Sequence, residues 1–89
     1  MSSAADYLRE RLAQLDPQQL DIKDDSARHA GHAGAKAGGH YVVSIVAARF
    51  AGLGVRERHR LVYDATGDLV QNGIHALSIT ARTPEEMQT

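Results

Sequence analysis

The stretch from His40 to Phe50 sets the tightest limit on how this chain can fold. It carries Val42, Val43, Ile45 and Val46, β-branched and apolar on both faces, the pattern of a central strand covered on at least one side. Such a strand needs neighbours, and the flanking sequence supplies two. Upstream, Leu20 and Ile22 alternate with Asp21 and Lys23, which reads as a short strand with one wet face. Downstream, Ile74 to Ala81 sets His75, Leu77 and Ile79 on one face and Ala76, Ser78 and Thr80 on the other. Between them, Arg56 to Leu69 reads as a helix whose buried stripe is Leu61, Val62, Ala65 and Leu69. Gly67 weakens the last turns of that helix by ~1 kcal/mol against alanine, so fraying is expected there.

A helix joining two strands is a crossover, so the second and third strands should run parallel with a right-handed connection. The first two strands should pair antiparallel across a long loop. An amphipathic helix from Ser3 to Leu15 precedes them, with Ser3 and Asp6 as a capping pair and Leu8, Leu12 and Leu15 on one face. Asp16-Pro17 ends it. Asn72-Gly73 is a turn signal, and Thr83-Pro84-Glu85-Glu86 is the start of a short closing helix: cap, proline, then glutamate at the third helical position. The order is α-β-β-α-β-α. The expected architecture is α+β, a small mixed three-stranded sheet with helices mainly on one face. With 89 residues and no internal repeat, the expectation is one domain over residues 1–89 with a modest core.

Several function classes are set aside by composition. There is no cysteine, so any metal donor is His, Asp or Glu. No apolar run approaches a membrane span, and Met1 to Asp6 lacks the pattern of a secretory leader, which gives a cytoplasmic expectation and no membrane partner. The net charge of −1 creates no general attraction to nucleic acid. No nucleophile motif, Walker loop or dinucleotide fingerprint is present, and Asp24-Asp25 with Asp64 and Asp68 reads as solvated surface charge. The chain is not expected to be an enzyme.

The five histidines are the chemical clue. His29 and His32 lie in the stretch from Asp24 to Gly39, which contains Gly31, Gly34, Gly38 and Gly39 and nothing large and apolar; loops of that length in a small domain are functional or disordered. His40 adjoins the apolar strand. His59 lies in a helix between Arg58 and Arg60, and a structural role fixing that helix to a neighbouring loop suits it. His75 begins a strand. From the residues alone it is either a metal donor on a rigid element or a structural histidine at a sheet edge.

Three ordered segments resemble the BolA family. They are Asp25-Ser26 with the His- and Gly-rich loop and His40-Tyr41; Phe50-Ala51-Gly52 with Arg58-His59-Arg60-Leu61-Val62-Tyr63; and Gly73-Ile74-His75-Ala76-Leu77-Ser78-Ile79 with Thr83-Pro84-Glu85 behind it. Thr66-Gly67-Asp68 departs from the alanine- and leucine-rich run usual at that point. The resemblance implies a class II KH-like fold and a partnership with a monothiol glutaredoxin. It also implies that His75 ligates a 2Fe-2S cluster shared with that partner and glutathione. A second ligand in the family comes from a Cys or His of the loop between the first two strands. Here that role falls to His29, His32 or His40, with the mid-loop pair placed ahead. Two imidazoles are too few to hold a cluster, so none is expected in the isolated protein, which should be a monomer or weak homodimer.

The resemblance leaves a second reading, a KH-like nucleic-acid-binding transcriptional regulator. Arg49, Arg56, Arg58 and Arg60 form a basic cluster interrupted only by Glu57. Arg56, Arg58 and Arg60 are the candidate contacts, either for weak, salt-sensitive DNA binding or for an acidic glutaredoxin surface. Against DNA stand the net charge and the lack of stacking aromatics. Gly31-His32-Ala33-Gly34 matches a KH loop in letters but lies between strands.

Overall fold

The computed structural model describes residues 4–25 and 39–87. Helix α1 spans Ala4–Leu12 and tightens into a 3-10 turn at Ala13–Leu15. Strand β1 spans Gln19–Asp24, β2 Gly39–Val46, helix α2 Val55–Thr66, strand β3 Ile74–Arg82 and helix α3 Pro84–Met87. The sheet order is β1-β2-β3. β1 pairs antiparallel to β2 and β3 parallel to β2, as the crossover argument requires.

Leu8, Leu12 and Leu15 turn one face of α1 inward, and all three are buried. Asp16 closes this segment with a left-handed backbone, φ 53°, ahead of Pro17. The other wall of the core is the inner face of the sheet: Ile22 from β1 and Tyr41, Val43 and Ile45 from β2 are buried. Leu77, Ile79 and Ala81 of β3 pack against them. Val62 and Thr66 of α2 close the layer. Both long helices therefore lie on one side of the sheet, with α1 against β1 and α2, and α2 against β3. The Tyr7 hydroxyl joins the helices by donating to the Thr66 carbonyl.

Two boundaries differ from the reading of the sequence. β2 stops at Val46, because Val46 and Ala47 are both buried and strand alternation ends there. Ala48–Phe50 forms a 3-10 turn that sinks the Phe50 ring fully into the core. A continuous apolar run hides this change, since turn and strand alike bury large side chains. α2 ends at Thr66 instead of running to Leu69. Gly67 takes φ 72° as its C-cap, with its N–H donating to Tyr63 O at 3.2 Å. The glycine terminates the helix where a frayed continuation was expected. The same segment contacts α1: a Cβ on Gly67 would lie 2.9 Å from Arg11 Nη2. The mid-loop residues 26–38, with His29 and His32, lie outside the described residues.

A candidate donor site at the start of the third strand

Parallel pairing of β2 and β3 contains one irregularity. Gly39 lies opposite Ile74, but the next residue, His40, lies opposite Ala76. His75 is the residue passed over, as in a bulge. The consequence is a change of face. Leu77, Ile79 and Ala81 face the core, so strict alternation would send His75 inward and Ile74 outward. Instead Ile74 is 1% exposed and part of the core, while His75 is exposed. The expectation that His75 shares a face with Leu77 is thus corrected.

The backbone before the irregularity is held on both sides. Val70–Asn72 forms a 3-10 turn, and Gly73 follows with φ 81° and ψ 21°. Its N–H donates to Val70 O at 3.2 Å, and its carbonyl accepts the Gly39 N–H at 2.9 Å. The Ile74 N–H donates to Leu69 O at 2.9 Å.

His40 sits on the adjoining strand, opposite the residue that follows His75. Its side chain is half-buried, with Nδ1 3.9 Å from Asp25 Oδ2. The Asp25 N–H donates to the His40 carbonyl at 2.7 Å. Asp25 is buried, which corrects its reading as solvated surface charge. The 3.9 Å separation of His40 Nδ1 from Asp25 Oδ2 is longer than a hydrogen bond. Next along β2, burial pushes the Tyr41 phenol above its ordinary pKa, and the Asp24 carboxylate adds to the shift.

The donor chemistry suits a shared ligation. Among the described residues no group of three or more His, Cys, Asp or Glu converges on one point. What β3 offers is an exposed imidazole on a rigid element, with a second imidazole on the neighbouring strand. By donor type, such a set would suit a metal site whose remaining ligands came from elsewhere.

The arginine cluster divides. Arg58 is committed inward: Nε donates to Leu53 O at 2.9 Å and Nη1 to Ala81 O at 3.1 Å. The same guanidinium grips Glu86 through two bonds of 2.7 and 3.1 Å. That grip holds the Glu86 carboxyl down at about 2, with a bond from the Thr83 N–H as the second cause. The bond to Glu86 also raises the Arg58 pKa. Arg49 donates to Gln14 O at 3.3 Å. Arg56 and Arg60 remain exposed on α2. Arg58 is therefore a structural tie and not an open contact, and it does what was expected of His59, which is half-buried beside it.

Comparison with known proteins places these features in a family. The family described as BolA-like protein matches residues 12–86. The chain belongs to the BolA family. It is 42% identical over 91 residues to Protein BOLA1, chloroplastic, of Arabidopsis thaliana, covering 97% of this chain and 57% of that protein. SufE-like protein 1, chloroplastic/mitochondrial, of the same plant is 41% identical over 87 residues, covering 90% of this chain and 24% of that protein. This chain thus spans only part of the length of either plant relative. The solved BolA domain of SufE1 from Arabidopsis thaliana matches at a TM-score of 0.81 and 42% identity, covering 97% of this chain and 98% of that one. The DNA-binding transcriptional regulator BolA of Vibrio cholerae is 36% identical over 84 residues, covering 93% of this chain and 77% of that protein.

Within this BolA chain, two motifs that stand out in the sequence do different work. Ile-His-Ala-Leu lies at the irregular start of β3, where its histidine is exposed. Arg-His-Arg supplies Arg58, which ties α2 to the end of the same strand. The roles of Gly73 and Asp25 were missed by sequence reasoning. Asn72-Gly73 carried a signal for the first; nothing local marks Asp25 as buried.

Proposed function

We propose that this BolA protein is a non-enzymatic adaptor that pairs with a monothiol glutaredoxin and shares a 2Fe-2S cluster with it by histidine ligation. Its role is then in iron–sulfur trafficking or iron sensing. The observation that carries the reading is the exposed His75, turned away from the core at the start of β3 while its neighbour Ile74 is sunk into it. The second donor in this reading is His29 or His32, with His40 beside His75 as the competing candidate. The partner's cysteine and glutathione supply the thiolates that this chain lacks. A cluster bound in this way supplies one-electron chemistry, and imidazole in place of thiolate raises its potential.

The chain's own contribution is to hold and orient the donor. β3 is locked at its far end by Arg58 and supported at its near end by Gly39 and Leu69, so little motion remains to be frozen when His75 binds. Only a neutral imidazole ligates, so the shared site is open to protons. We assign this activity to the cytoplasm, while the names of the plant relatives place those proteins in chloroplasts or mitochondria. No helix among the described residues is long and apolar enough to cross a membrane.

The test is anaerobic co-expression with a monothiol glutaredoxin, followed by visible absorption and circular dichroism. A mixed complex with a spectrum distinct from that of the glutaredoxin alone supports the reading. A spectrum unchanged by His75→Ala refutes the ligand assignment.

DNA binding is the second reading, and the name of the Vibrio cholerae relative favours it. The folded chain weakens it. Of the four arginines that motivated it, Arg49 and Arg58 spend donors on internal carbonyls. Two exposed arginines neutralise too few phosphates for tight binding.

A further inference from the structure

We infer that the irregular start of β3 is a positioning device, in which the left-handed backbone of Gly73 and the register step after Ile74 turn His75 out of the sheet's alternation. The inference rests on the adaptor reading for its purpose, but its geometry stands in the isolated chain.

The argument begins with alternation. From Ala81 back to Leu77 the inward residues of β3 are the odd-numbered ones. Continued unbroken, that rhythm would face His75 inward and expose Ile74. The step from the Gly39–Ile74 pair to the His40–Ala76 pair reverses both assignments at once. The reversal is anchored rather than loose. Ile74 is sunk in the core, its N–H is bonded to Leu69 O, and the Gly73 carbonyl is bonded to the Gly39 N–H. Gly73 makes the approach feasible by adopting φ 81°, a region that side-chain-bearing residues enter at a cost. An ideal Cβ at Gly73 would meet nothing within 4 Å. The glycine is therefore required by backbone angle and not by space. His75 is the one strand residue left without a cross-strand partner in the β2–β3 register, on a backbone held to either side.

Gly73 thus acts through His75, and its substitution separates positioning from mere stability. Gly73→Val places its Cβ in open space but cannot hold the left-handed angle without strain, being β-branched. Gly73→Asn tolerates that angle. In the isolated protein, NMR contacts should show the Ile74 methyl groups in the core and the His75 ring outside it. Gly73→Val should disturb this pattern and Gly73→Asn should restore it. In the glutaredoxin complex, Gly73→Val should shorten the cluster's half-life roughly tenfold, the scale on which losing a supporting group weakens a metal site. Gly73→Asn should recover most of it.

A second variant keeps the inference open to refutation if Gly73→Val fails to fold. His75→Ala combined with Ala76→His moves the imidazole one residue along, onto the regular part of the strand. The inference requires that this ring does not replace His75. A wild-type half-life in Gly73→Val, or a cluster restored by the shifted histidine, would overturn it. If the wild-type chain forms no mixed cluster, the adaptor reading fails separately. The positioning claim then stands or falls on the NMR pattern alone, and unchanged Ile74 and His75 contacts in Gly73→Val would end it.

Discussion

The two ends of β3 are built in opposite ways. At its far end, Ala81 O is bonded to Arg58, Arg58 is clasped by Glu86, and Thr83 and Glu86 cap α3 reciprocally at 2.8 and 3.2 Å. The charges of Arg58 and Glu86 are spent there on each other. At its near end the strand abandons its alternation and leaves an imidazole exposed beside a buried isoleucine. Midway, the Tyr63 hydroxyl donates to Leu77 O at 3.2 Å, so α2 also occupies part of this edge strand's free side, a device that discourages pairing with other chains. One end of the strand is a fastening and the other a presentation. Rigidity at the first is what gives precision at the second.

The comparison breaks most visibly at His75. His75→Ala should abolish the distinctive spectrum of the glutaredoxin complex while changing stability by no more than about 0.5 kcal/mol, as for an exposed side chain; spectroscopy paired with urea unfolding measures both. Its neighbour should behave in the reverse manner. Ile74→Ala removes a fully buried side chain and should cost about 2–5 kcal/mol, seen as a lower urea midpoint. If the two adjacent substitutions gave similar losses of stability, the change of face would be wrong.

The fastening end should respond through stability alone. Arg58→Met keeps an apolar stem but leaves Leu53 O and Ala81 O without their donor. It should lower the thermal midpoint and leave the spectrum of the assembled complex unchanged. An altered spectrum would mean that this end of β3 belongs to the partner site after all.

Acid gives a smaller and more specific effect. The Glu86 carboxyl is lowered in the folded chain to about 2 from an ordinary 4.5. Folding therefore favours the ionised form. The contribution is fully present above the ordinary value and is lost as pH falls from there through about 2. The stability difference between wild type and Glu86→Gln should accordingly shrink over that window and be nearly gone at its lower end, as measured by urea unfolding at a series of pH values. A difference independent of pH would remove the ion pair from the account. Smallest of all is the nucleic-acid term. Arg56→Ala with Arg60→Ala should change an already weak, salt-sensitive DNA affinity only slightly. Tight, sequence-specific binding at physiological salt, lost in that double variant, would move the regulator reading to first place.

Much of this architecture is legible in the sequence. Leu8, Leu12 and Leu15 marked the face of α1, Leu20 and Ile22 that of β1, and Thr83 to Glu86 announced the capping box. These signals are local, since periodicity and capping act within a turn or two of the residues that carry them. Strand directions followed as well, because a helical crossover between adjacent strands leaves one sensible hand. The errors fell where apolar residues continue past the end of an element, at Phe50 and at Leu69.

The candidate site divides along the same line. By itself, the sequence determined that a histidine begins the third strand, that no thiol is available, and that any metal donor is therefore His, Asp or Glu. Only the tertiary structure decided which way that histidine faces, because the register step depends on Gly39 meeting Gly73 and Ile74 across the sheet. Only the fold turned Arg58 from an open charge into a tie, through a carbonyl 23 residues away and a carboxylate 28 away. Likewise Asp25 became a buried neighbour of His40 once β1 had paired with β2. Local periodicity names the residues available; which face each presents is settled by pairings between segments far apart in the chain.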